Sequence, residues 1–160
     1  MSARTYCGFV SAVLLSTATA FATEPSPSQV DLETENQVFI NQMGEGQNAT
    51  IEQTNIYGGL LNGAIQQNGI GNNAAISLEG GDLSGSIIQS GNDNQATLEI
   101  RDEHNRGTIE QYGDSNSAGL RIDGHSQDVT LIQQGNGHAY TSPIRVGGDA
   151  AGGPITIRQR

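Results

Sequence analysis

Glutamine returns at a nearly fixed interval along this chain. Gln42, Gln67, Gln89, Gln111 and Gln133 are separated by 25, 22, 22 and 22 residues, and Gln159 closes the series in a partial copy, Ile157-Arg158-Gln159. Each of the five is preceded two positions earlier by an aliphatic residue: Ile40, Ile65, Ile87, Ile109 and Leu131. Each is followed two positions later by a glycine: Gly44, Gly69, Gly91, Gly113 and Gly135. Further columns keep the same phase. They are Asn72, Asn94 and Asn116, with Gln47 and His138 at the matching ends; Ala49, Ala74, Ala96 and Ala118; and Ile51, Ile76, Leu98 and Leu120. A last column holds Gln53, Leu78, Ile100, Ile122 and Ile144. A chain with this many coincident columns folds as an array of like units.

Within a unit the marked residues on each side of the glycine fall two apart. A period of two describes a strand with one buried face, and an apolar spacing of two excludes a helix. Gly113 to Asn116 lies between two such runs, and glycine and asparagine tolerate the left-handed backbone of a tight reversal. Each unit therefore reads as strand, turn, strand, turn. Units of equal length can stack about 4.8 Å apart with hydrogen bonds in register. The expected fold is all-β: a β-solenoid of about five rungs with a closing strand, cross-β on assembly. One rung cannot offset its own ordering entropy, because a fully buried Ile or Leu contributes only about 1.5–3 kcal/mol. A stack can.

Stacking turns columns into ladders. A carboxamide both donates and accepts, so Gln42, Gln67, Gln89, Gln111, Gln133 and Gln159 can bond one to the next along the axis. The Ile, Ala and Leu columns form the apolar ladder, while the Gly44 series and Asn72, Asn94 and Asn116 supply turn chemistry. Twelve residues after each key glutamine stand Thr54, Glu79, Arg101, Asp123 and Arg145, the last four alternating in sign. Glu99 and Arg121 match in the same way. Such a charge ladder of Glu79, Arg101, Asp123 and Arg145 opposes a register slip, although each exposed pair is worth at most about 1 kcal/mol.

The first 22 residues read as a secretory signal. Arg4 is the basic start, Phe9 to Leu15 the short apolar core and Ala20-Phe21-Ala22 the exit. That core is too short to span a bilayer. Residues 23–37 fit no repeat, are acidic and contain proline, and are expected to be unstructured; residues 38–160 form the stack. Nothing in the sequence caps the first rung near Val38 to Gln42. The only cysteine, Cys7, lies inside the leader, so no disulfide framework holds the rest. Net charge is −10, from seven basic and 17 acidic residues. That surface repels phosphate backbones, which argues against nucleic acid as a partner.

No catalytic constellation, cofactor motif or metal spacing appears. His104, His125 and His138 occupy different phases of the repeat, and there is no phosphate loop, HExxH or G-x-S-x-G. The chain is not expected to be an enzyme.

The Q-x-G-x-x-N-x-A spacing at about 22 residues resembles the curlin repeat of bacterial curli fibre subunits. The matching residues are Gln67, Gly69, Asn72 and Ala74; Gln89, Gly91, Asn94 and Ala96; and Gln111, Gly113, Asn116 and Ala118. The resemblance implies a secreted structural subunit of extracellular functional amyloid, serving adhesion and biofilm matrix. It implies export through the periplasm and an outer-membrane secretion pore with accessory factors in a Gram-negative cell. Its partners would be further copies of itself, head to tail, and another curlin subunit. Leu78, Ile100, Ile122 and Ile144 depart from the family's second glutamine, and the end Ile157-Arg158-Gln159-Arg160 is similar to the basic tail of minor, nucleating subunits. The alternative from the residues alone is a secreted solenoid binding module that stays monomeric.

Overall fold

Burial alternates residue by residue through the strands. Leu61–Asn68, for example, hides Leu61, Gly63, Ile65 and Gln67 and turns the residues between them outward. The computed structural model describes residues 15–22, 29–30, 36–148 and 153–160, the first two stretches as backbone only. Thirteen strands follow in order. They are β1 (Leu15–Ala22), β2 (Gln29–Val30), β3 (Gln37–Met43), β4 (Gln47–Asn55), β5 (Leu61–Asn68), β6 (Asn73–Gly81) and β7 (Leu83–Ser90), then β8 (Gln95–Glu103), β9 (Arg106–Tyr112), β10 (Ser117–Gly124), β11 (Asp128–Gln134), β12 (Ile144–Gly148) and β13 (Ile155–Gln159). There is no helix among the described residues.

The strands sort into two facing sheets. Sheet A runs β1-β4-β6-β8-β10-β12 and sheet B runs β13-β11-β9-β7-β5-β3-β2. From β3 onward every neighbour in either sheet is parallel. Each rung is one strand of sheet B followed by one of sheet A, so the chain winds as a β-solenoid of about five turns. The register keeps like over like: Ile40 pairs with Ile65, Ile65 with Ile87, Ile87 with Ile109, Ile109 with Leu131 and Leu131 with Ile157. Ala49, Ala74, Ala96 and Ala118 align in sheet A, as do Ile51, Ile76, Leu98 and Leu120. Apart from the half-buried Ile157, these side chains belong to one continuous core between the sheets, each at most 5% exposed.

The core is thin, and glycine makes it so. Val38, Gly63, Gly85, Gly107 and Val129 form an inward column on sheet B. A Cβ on Gly107 would lie 2.9–3.0 Å from methyl carbons of Leu98, Ile100 and Ile122, so the bare backbone leaves room for the bulky side chains of the opposite sheet. The reversals after β3, β5, β7, β9 and β11 open on Gly44, Gly69, Gly91, Gly113 and Gly135, with φ between 113° and 128°. A Cβ on Gly69 would come within 1.9 Å of the Gly91 carbonyl oxygen, so only glycine fits there.

The last rung departs from the count of residues. Ser117 bridges Ala139 and Leu120 pairs with Ile144, so Tyr140 to Pro143 cover a span that Ala118 and Gly119 cover one rung earlier. This bulge of two extra residues shifts everything after it. Arg145 therefore lies in register with Arg121, not with Asp123, which faces Gly147. Likewise Ile144 continues the Leu120 column, and Val146 rather than Ile144 follows Ile122. The charge ladder ends at Asp123.

The first rung is also covered where no cap was expected. β2 lies antiparallel to β3, pairing Gln29 with Phe39 and Val30 with Val38. β1 lies antiparallel along β4 from Leu15↔Thr54 to Ala22↔Gln47. Part of the stretch expected to be unstructured, Gln29–Val30, is thus strand, and Gln37 already opens β3. The remainder of the leader and residues 23–28 and 31–35 lie outside the described residues.

Candidate functional site: the amide ladders and the two ends

The glutamine column is a buried chain of hydrogen bonds. Gln42 Nε2 donates to Gln67 Oε1 at 2.7 Å. Gln67, Gln89 and Gln111 each donate onward at 2.8 Å, to Gln89, Gln111 and Gln133. Gln133 donates to Gln159 at 2.9 Å. The five donors are at most 1% exposed. The second Nε2 hydrogen of Gln67, Gln89, Gln111 and Gln133 reaches across the turn to the carbonyls of Asn48, Asn73, Gln95 and Ser117, at 2.9–3.1 Å. Each of these four bonds thus ties the sheet B strand of one rung to the sheet A strand of the rung before. A partly satisfied buried network would be costly, whereas this one is closed along its length.

Asn72, Asn94 and Asn116 do more than shape turns. All are at most 1% exposed. Their Nδ2 atoms donate to the carbonyls of Gly91, Gly113 and Gly135, each at 2.8 Å. Their Oδ1 atoms accept the backbone N–H of Asn94, Asn116 and His138, each at 3.0 Å. The asparagines form a second buried ladder, joining rungs through backbone groups that a turn would otherwise leave orphaned. A third begins at the opposite corner, where Asn105 Oδ1 accepts from Gln127 N at 2.8 Å; Leu61 and Leu83 interrupt it. Equal spacing at 22 residues signals the asparagine ladder and the glycine column of Gly63, Gly85 and Gly107 in the sequence.

Charges on the outside of sheet A pair along and across strands. Arg101 meets Glu79 at 3.8 Å and Arg121 meets Glu99 at 3.4 Å. Arg121 also binds Asp123 within its own strand, at 2.8 Å. That hydrogen bond, with the nearby guanidinium charges, lowers the Asp123 carboxyl below its ordinary range, and the same bond with the Asp123 and Glu99 charges raises Arg121. Arg145 makes no ion pair among the described residues. The histidines do not converge. His104 lies 3.4 Å from Asp82, His125 lies 3.9 Å from Glu103, and the ring of His138 lies 3.1 Å from the Gln134 carbonyl. No group of three metal-ligating side chains forms among the described residues.

The ends of the ladders differ from their middles. Gln67, Gln89, Gln111, Gln133 and Gln159 each accept, at Oε1, the amide of the rung before. Gln42 has no rung before it, and its Oε1 is buried without a partner. Among the described residues, the other buried polar side-chain atoms lacking a partner are Asn36 Nδ2, Gln47 Oε1 and Asn48 Oδ1, so all four fall on the first rung. At the opposite end Gln159 accepts but passes its own Nε2 hydrogens to no described residue. β13 presents Ile155, 38% exposed, and a half-buried Ile157 beside it.

Fold and ladders together define a class: a repeat-built parallel β-solenoid with an axial glutamine ladder and two unlike ends. Residues 104–135, which run from the end of β8 through β9 and β10 to the end of β11, match the family model described as the curlin associated repeat. The chain carries that repeat, in keeping with a curlin-family protein. No curated protein matches it, and no solved structure does.

Proposed function

We propose that the chain is a structural subunit of an extracellular curli-type fibre, growing by stacking one molecule's first rung on another's last. The observation that carries this reading is the pairing of needs at the two ends. Gln42 Oε1 lacks a donor, and Gln159 has one to give. In the same register Ile157 meets Ile40 and Ile155 meets Val38, repeating the contacts already made between rungs. A buried acceptor without a partner costs about 1–3 kcal/mol, which a second copy relieves.

The reading includes export as a processed chain, with residues 1–22 removed, through an outer-membrane pore served by accessory factors. No described helix is long and apolar enough to cross a membrane. Removing the leader takes away β1 and frees the edge of β4. The role at the surface is adhesion and biofilm matrix, with no catalytic activity. The shifted last rung and the basic end fit a minor, nucleating subunit working beside another curlin subunit.

The test is growth of the exported chain. It should form fibres that bind thioflavin and diffract at about 4.8 Å along the fibre axis. A chain that stays monomeric at high concentration would make it a solitary binding module instead.

A further inference from the structure

The two sheets are unequal beyond the amino-terminal cover. From β3 onward sheet B has six strands, ending in β13, and sheet A has five, ending in β12. When β3 of a following copy stacks on β13, sheet A is left one strand short, between β12 of the first copy and β4 of the next. The gap has a definite chemistry. Its floor is Ile144 and Val146, half-buried and turned inward, with the exposed and unpaired Arg145 turned outward between them. Arg145 also stands directly over Arg121. A strand that fits must therefore read apolar, acidic, apolar.

We infer that Val30-Asp31-Leu32 of the following copy fills this gap, its acidic residue over Arg145 and its apolar pair over Ile144 and Val146. This rests on the end-to-end reading above and on removal of residues 1–22. Outside the stack, Val30-Asp31-Leu32 is the one run with that alternation, and Glu33 and Glu35 add acidic charge beside it. Chain direction brings it there. Asn36 opens β3 at the corner that Asn105 holds where the chain enters β9 from sheet A, so a sheet A strand laid before Asn36 would keep the winding of the other rungs. That placement would leave four steps from Leu32 to Asn36, against five from Ile100 to Asn105. In the single molecule Val30 instead pairs with Val38, on the very edge that β13 of a preceding copy would occupy. Assembly displaces that two-residue contact and gives the segment a better one. The joint is then a strand exchange that makes both sheets six strands per copy and sets a carboxylate beside Arg145.

Cysteine pairs test it on the exported chain, which has lost Cys7 with the leader and so carries only the introduced thiols. Asp31→Cys and Arg145→Cys chains, mixed and assembled, should form disulfide-linked dimers in fibres and none before assembly, because neighbouring strands hold Cα atoms within bridging distance. Asn41→Cys with Arg158→Cys tests the sheet B joint separately. Cross-linking of the second pair without the first overturns the strand exchange and spares the stacking. Cross-linking of neither overturns both. Arg145→Asp and Asp31→Arg should each slow seeded growth roughly threefold to fivefold at low salt, and the double variant should recover it. Equal growth of all four chains also overturns the proposal.

Discussion

Replacing a ladder glutamine by leucine should cost very different amounts at Gln89 and Gln42. Gln89 accepts from Gln67 at 2.8 Å and donates to Gln111 at 2.8 Å and to the Asn73 carbonyl at 3.1 Å. Gln89→Leu loses all three bonds and leaves Gln111 Oε1 buried without a donor. At about 1 kcal/mol net per bond, with the stranded acceptor partly offset by the added apolar burial, the loss is about 2–4 kcal/mol. Gln42 makes one ladder bond, at 2.7 Å, and its Oε1 is already unsatisfied. Gln42→Leu loses that bond and strands Gln67 Oε1, but it removes the like penalty of its own Oε1, so its net effect on the single molecule is about 1 kcal/mol. Urea unfolding of freshly purified, unassembled chain, followed by far-ultraviolet circular dichroism, separates the two. Seeded growth should show the converse, with Gln42→Leu blocking addition at the first rung. Equal destabilisation by both substitutions would refute the directional ladder.

Three other perturbations have outcomes set by the same geometry. Gly91→Ala places a Cβ 2.1 Å from the Gly113 carbonyl oxygen at φ 124° and should cost roughly 3 kcal/mol or more, whereas Gly137→Ala, with open space around it, should cost about 1 kcal/mol in the same unfolding assay. Leu98→Ala empties a fully buried site at the middle of the core and should cost about 2–5 kcal/mol, read as a lower urea midpoint. Asp123 titrates below its unfolded value because of Arg121, so its contribution is present above about pH 4 and lost as pH falls through the lowered value. Asp123→Asn should flatten that part of the stability profile while leaving stability near pH 7 within about 0.5 kcal/mol, since the pair is exposed.

Much of this architecture was legible because a period of two inside a period of 22 leaves few folds open. The shared parity of Gln67 with Ile65, and of Gln89 with Ile87, suffices by itself to place the amides in the core. Counting failed where turn lengths change. Arg145 stands twelve residues after Gln133, as Asp123 does after Gln111, but Tyr140 to Pro143 bulge and put it over Arg121. Asn94 looked like ordinary turn chemistry because asparagine suits turns by itself; its burial depends on neighbours 22 residues away on both sides. The antiparallel cover of the first rung belongs to segments outside the repeat, where no column exists to read.

The length of fibre axis occupied by one chain tests the end-to-end stack most directly. The six sheet B strands of each copy from β3 onward, at about 4.8 Å each, give an axial repeat of about 29 Å in electron micrographs of fibres of the exported chain. A repeat of one strand spacing per chain, with every molecule lying flat in a single layer, would contradict it.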